Sequence, residues 1–414
     1  MLRYGSLFLT LASLAWTTLC FAQQTYDVEY HAEILPTRGI VATEIRLSGE
    51  RLPSRLVLHI DPERHRTFTS TDALQIAPGE VTWRPQGKFS RLRYEFVINH
   101  ERTPGKYDSY VTDDWALFRA DKLVPRTSVR AKRGLQAHAT LQFTAPAGWS
   151  ISTPYAPTNE QQYVIDDPQR RFDRPEGWIL AGKIGSRTET IAGVRTVVAA
   201  PVGDSARRQD ALAFLNWNLP RLLAVFDGSF PRRLLVVSAG DPMWRGGLSG
   251  PGSVFLHADR PLISENRTST LLHELVHVAL GIRGDRDSDW IVEGFAEYYS
   301  LETLRRSGTI SEQRYSSAVK DLTRWGTRAK SVLVPQSTGA VTARAVLVLR
   351  EVDAEIRERT GGRHGLDDVA RELADRRGEV SLELLQELTT KIAGAPVRAL
   401  DRERLSAPIP PRAP

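Results

Sequence analysis

The chain has 414 residues, which fits two or three domains, and its 41% hydrophobic and 25% charged residues are globular proportions that exclude wholesale disorder, collagen and coiled-coil fibre. The net charge of +6 rests mainly on Arg, with Lys at only eight positions, and it is spread along the chain, so no nucleic-acid partner is expected. The one Cys, Cys20, lies in the first apolar stretch; without that stretch there is no thiol for disulfides, thiolate metal sites or a cysteine nucleophile, and a transition metal must be held by imidazole and carboxylate.

Residues 1–22 have the form of a secretory signal. Arg3 gives a positive start, Leu7 to Leu19 is apolar, and Cys20-Phe21-Ala22 precedes Gln23. At roughly 13 residues the run is short for a membrane span, which needs about 20. Cleavage after Ala22 is expected, leaving a net charge of +5 and no membrane span. Bulky Leu19 argues against lipidation of Cys20. The product is expected to be periplasmic if the cell has an outer membrane and secreted otherwise.

Residues 23–200 are predicted as a β-rich N-terminal domain with connecting strands. Tyr26, Val28, Tyr30, Ala32 and Ile34 alternate with polar residues, as do Leu92, Tyr94, Phe96 and Ile98, with Pro- and Gly-containing turns between such runs. An antiparallel sandwich or saddle is expected, followed by strands near Trp178–Ile184 and Val194–Ala200. Residues 201–330 form the next predicted domain. A helix runs over Ala206–Phe226 with Asp204 or Ser205 as its cap, then a strand over Leu234–Val237, a glycine-rich loop over Gly246–Gly252, and a short strand over Ser253–His257. From Thr268 the pattern is helical: Thr270–Gly281, Trp290–Arg306, Glu312–Trp325, then a C-terminal helical region over 331–400 with Thr342–Arg359, Leu366–Arg376 and Leu382–Ile392. Residues 401–414 read as a disordered Pro-rich tail.

The chemistry concentrates in His273-Glu274-Leu275-Val276-His277, the pattern H-E-x-x-H. Residues four apart on a helix share a face at about 5–6 Å between Cβ atoms, so both imidazoles can reach one Zn2+. Glu274 then stands close enough to act on a water rather than on the metal. The helix is apolar around most of its surface, and polar groups buried there must be paired or coordinated. A third protein ligand leaves the fourth position to solvent. Glu293, in Trp290-Ile-Val-Glu-Gly-Phe-Ala-Glu-Tyr-Tyr299, lies beyond a polar loop that suits a chain reversal. Glu297, one turn later, is placed to accept the free ring N–H of a ligating His. Asp285, Asp287 and Asp289 are rival ligands on a loop expected to be mobile.

This combination resembles the gluzincin metallopeptidases, the thermolysin-like clan, and within it the glycyl aminopeptidase family most closely. The likeness extends to the β-rich N-terminal region, to Gly246-Gly247-Leu248, and to Gly365-Leu366-Asp367-Asp368. It implies an α+β multidomain fold with a thermolysin-like catalytic domain over 201–330, zinc bound by His273, His277 and Glu293, and Glu274 as general base in the hydrolysis of a peptide or protein substrate. Ser253–His257 is expected to pair with the substrate backbone. Two departures stand out. The family places an acid after Gly-Gly-Leu to hold a substrate amine, whereas here Ser249 follows. The family's oxyanion-donating Tyr maps near Thr342. His257, Tyr298, Tyr299 and Tyr315 are the possible substitutes, and the alternative to an active peptidase is a weakly active or inactive peptidase-like binding protein of the cell envelope.

Overall fold

A computed structural model describes residues 24–159, 161–165, 171–226 and 228–408. The predicted signal segment and the residues after Pro408 lie outside the described residues. Among the described residues no helix is long and apolar enough to cross a membrane.

The N-terminal part is built from three sheets. The largest has seven strands, with Thr25–Leu35 at its centre. The alternation read from the sequence buries Tyr26, Val28, Tyr30, Ala32 and Ile34 on one face. Those side chains join Trp83, Phe96, Phe118 and Phe143 in one core. Thr25–Leu35 runs antiparallel to Ile40–Ser48 but parallel to Gln136–Thr144, so the expected wholly antiparallel architecture holds one parallel pair. Parallel neighbours need a long crossover, which the intervening strands supply.

A further five-stranded sheet, beneath the helices, has the order 184–191, 194–201, 233–239, 253–257, 247–250. Residues 184–201, read from sequence as connecting strands at the end of the β-rich region, pair within this sheet. The three inner strands are parallel and apolar, as both-face burial requires. Gly247–Gly250, read as loop, is the outer strand of this sheet, antiparallel to Ser253–His257. Ser253–His257 already has a partner on each side, so the expected strand addition to it has no room; the open edge is Gly247–Gly250.

The helix expected over Ala206–Phe226 spans Arg208–Leu223, and neither Asp204 nor Ser205 caps it. Asp204 instead accepts from Gly240 N–H at 2.8 Å and Ala206 N–H at 3.1 Å, tying the chain to the sheet end. Beyond Thr268 the helical reading is matched by Thr270–Leu280, Asp289–Arg306, Glu312–Gly326, Ala340–Thr360, Leu366–Arg376 and Leu382–Ala393. A small addition is Ile282–Gly284, which pairs in parallel with Gly378–Val380 and fixes the loop expected to be mobile. The tail also begins in structure: Arg402–Ser406 is helical, Leu405 is buried, and the Leu405 carbonyl accepts from Val332 N–H at 3.0 Å.

Candidate metal centre

Thr270–Leu280 starts where the Ser269 hydroxyl accepts the Leu272 N–H and stops at Gly281, whose φ of 57° is left-handed. Within it His273 and His277 lie one turn apart, with ring centroids 4.9 Å apart and Nε2 atoms 3.1 Å apart. Asp289–Arg306 packs against this helix. Its Glu293 places Oε2 3.3 Å from His273 Nε2 and Oε1 3.5 Å from His277 Nε2. Donors about 2.0–2.1 Å from a tetrahedral ion are about 3.3 Å from one another. The three observed spacings bracket that value, so the residues fit Zn2+ and leave one position open. Among the described residues this is the one group of His, Cys, Asp or Glu placed to hold a metal ion.

The crossing of the two helices is fixed by a buried reciprocal pair. Ser300 Oγ donates to the Ser269 carbonyl at 2.9 Å and accepts the Ser269 N–H at 3.2 Å, and both residues are fully buried. Gly294 brings in a third helix, Ala340–Thr360: a Cβ at 294 would lie 2.8 Å from the Ala345 Cβ. Glu297, one turn beyond Glu293, sits 3.1 Å from His273 Nδ1. That contact selects the tautomer with Nδ1–H donating and Nε2 free to ligate.

The electrostatics favour a cation. Burial opposes charge on His273, yet Glu293 and Glu297 overcome it and hold the imidazole up to about 10. Burial, and then His273 itself, push His277 down to about 4. Burial raises the Glu293 carboxyl, but His273 and His277 outweigh it and hold it below the ordinary carboxylate range. The imidazole pair thus favours one proton beyond its neutral form, a positive charge that a divalent ion would replace on binding.

Glu274 is buried at 9% exposure on the same helix. Burial raises its carboxyl above the ordinary value, against the opposing influence of His273 and of the neighbouring Ser249. Ser249 belongs to the edge strand, which approaches the helix so closely that a Cβ at Gly247 would lie 2.7 Å from Glu274 Cγ. The cleft above has a volume of about 1400 Å3 and is lined by His273, Glu274, His277, Glu293, the edge strand and N-terminal residues including Tyr155 and Arg174.

The other sequence candidates lie elsewhere. Asp285 accepts from Asp287 N–H, and Asp289, although it lines the cleft, accepts from Ser337 N–H at 2.6 Å. His257 is 1% exposed and accepts the Asp259 N–H at Nδ1, with Asp241 3.6 Å from Nε2. Tyr299 donates to Asp367, while Tyr298 and Tyr315 line a separate pocket. Thr342 contacts the Ser337 hydroxyl and does not line the cleft. The sequence reading missed the roles of Ser249, Ser269 and Ser300; the glycine pair at 246–247 was the available signal for the first.

The fold, a β-rich N-terminal part sharing a core with a five-stranded sheet under helices, is that of solved M1 zinc metallopeptidases. An aminopeptidase N family protein from Idiomarina loihiensis superposes with a TM-score of 0.64 at 15% identity, covering 84% of this chain and 70% of that one. An M1 zinc metallopeptidase variant from Deinococcus radiodurans, bound to a Tyr-Ser-Ala substrate, gives 0.59 at 17% identity and covers 94% of this chain and 95% of that one. A two-domain M1 zinc metallopeptidase variant bound to L-arginine gives 0.60 at 15% identity, covering 93% and 96%. At these identities the likeness is one of fold. No family profile and no curated protein sequence matches the chain.

Proposed function

We propose that this chain is a zinc-dependent peptidase. The observation that carries the reading is the convergence of His273 Nε2, His277 Nε2 and the Glu293 carboxylate, one oxygen 3.3 Å from His273 and the other 3.5 Å from His277, with Glu274 buried beside them. The M1 fold and the peptide and amino acid bound to its solved relatives support it. The apolar stretch before Gln23 supports export.

His273, His277 and Glu293 would hold the ion, and Glu297 would keep His273 in its ligating tautomer. Zn2+, when bound there, supplies Lewis acidity and brings water ionisation toward neutral pH. Glu274 takes a proton from the attacking water and returns it to the leaving nitrogen. Its raised basicity suits both transfers. Ser249, on the edge strand, lies beside this carboxylate in the cleft. An extended peptide would lie along the edge at Gly247, where only glycine allows the strand this close to Glu274.

Glu274→Gln tests the reading. The shape and both imidazoles remain, so zinc should stay at one per chain by elemental analysis. Peptide hydrolysis should fall by about 10²–10⁴-fold. Hydrolysis at the native rate would remove Glu274 from the reaction. Stoichiometric zinc in the unaltered protein without cleavage of any peptide in a broad library would favour the binding-protein alternative, which the displacement of Tyr298, Tyr299 and Tyr315 from the cleft motivates.

A further inference from the structure

The cleft wall is strongly cationic. It contains seven Arg and no Lys, against four acids. Two of the acids, Glu274 and Glu293, are committed to the centre. Glu176 pairs with Arg174 at 3.0 Å, and Asp289 accepts from Ser337. Arg119 is held by Asp121 at 2.9 Å while it donates to the Ser249 carbonyl at 3.1 Å.

Four cleft arginines, Arg102, Arg232, Arg233 and Arg377, have no carboxylate partner among the described residues; Arg102 lies over the Trp244 ring at 5.2 Å, which leaves the other three. Arg233 Nε donates to the Pro154 carbonyl at 3.2 Å, and Arg377 Nη2 donates to the Ser229 carbonyl at 2.7 Å. Both contacts orient a guanidinium without neutralising it, and they bring Arg377 beside the segment that carries Arg232 and Arg233. Arg233 is half-buried and stands in strand register with Arg195, a like charge. Burial, and then Arg195, hold its guanidinium below the usual value, so a negative partner would relieve both. By contrast, Arg305, Arg306, Arg357 and Arg359 elsewhere in the chain are held in carboxylate pairs.

We propose that the cleft selects anionic peptides: a substrate carboxylate docks on Arg232, Arg233 and Arg377 while the peptide backbone lies against the His273–Glu274 face. This rests on the peptidase reading and names its substrate class. The cleft's size fits a peptide rather than a single residue, since small-ligand pockets are about 300–1,000 Å3. A planar guanidinium presents paired donors to a carboxylate, and two or three together multiply that preference. The carboxylate can come from an Asp or Glu side chain or from the peptide C-terminus.

The test uses the zinc-loaded full chain and matched peptide pairs: Glu against Gln at each position, and a free against an amidated C-terminus. At least one acidic member should be cleaved about tenfold more efficiently in kcat/KM than its neutral partner. The ratio should shrink as salt rises from about 50 to about 500 mM. Arg233→Gln combined with Arg377→Gln should bring it toward one; because the ratio is taken within each protein, lost folded fraction cancels. A ratio near one in the unaltered protein, or one unchanged by the double variant, overturns the proposal. The pair that shows the effect identifies the carboxylate's source. If no peptide is cleaved, calorimetric binding of the same pairs separates the two ideas. Acidic-peptide binding lost in the double variant supports the cationic site while sinking the peptidase reading; equal or absent binding overturns the cationic site as well.

Discussion

His273 has each ring nitrogen committed to a different acid, with Nε2 3.3 Å from Glu293 and Nδ1 3.1 Å from Glu297. The second contact determines whether the first nitrogen is a lone pair or an N–H. Glu297→Ala removes the acceptor and lets the ring sample the wrong tautomer. Zinc affinity should fall by about 10–100-fold, read by competition with a chromophoric chelator, while the fold is kept. Unchanged affinity would reduce Glu297 to a helix-surface acid. The His pair and Glu274 were legible from sequence because covalent spacing on one helix fixes their relative positions. Glu293 and Glu297 needed one further assumption, that the next helix folds back, and the Ser269–Ser300 bonds are what enforce it. Ser249 was not legible as a partner of Glu274, because sheet pairing rather than local spacing brings it there.

Among the elements, the strand Gly247–Gly250 is the one whose reading changed most, from loop to sheet edge. Four glycines in the seven residues Gly246–Gly252 look like loop composition, but two of them, Gly246 and Gly247, serve close approach. At Gly247 an added Cβ would stand 2.7 Å from both Glu274 Cγ and Thr270 Cγ2. Gly247→Ala must therefore push the strand off the helix or turn Glu274 aside. Overpacking of this kind costs about 1–3 kcal/mol. The expected signature is a lowered melting temperature and a large loss of turnover at unchanged zinc content. Native turnover would mean that the strand has slack the contacts do not show. Helix positions were well anticipated because periodicity and caps are local signals. Ile282–Gly284 and Gly378–Val380 were not, since each has three residues and exists only through a partner about a hundred positions away.

At the scale of the whole molecule, the N-terminal part and the sheet beneath the helices share a core. Leu117, Trp178 and Leu180 from one side pack with Leu235, Val237 and Phe255 from the other. Trp178 is the key contact. It is fully buried, its ring centroid is 5.5 Å from that of Phe255, its backbone N–H donates to Ser253 Oγ at 2.8 Å, and its indole N–H donates to the Leu248 carbonyl at 3.0 Å. With the Arg119 bond to the Ser249 carbonyl, two N-terminal side chains hold adjacent carbonyls of the strand that lies against Glu274. The N-terminal part therefore sets the position of the strand beside Glu274 as well as walling the cleft. Trp178→Phe keeps an aromatic ring but removes the indole donor and some volume, at a cost of about 1–3 kcal/mol. Because the core is shared, calorimetry should show one unfolding transition that moves down as a whole. Peptide turnover should drop several-fold with zinc still bound, although Trp178 contacts none of the proposed ligands. Two transitions of which only one shifts, or full activity in the variant, would mean that the halves fold and work independently.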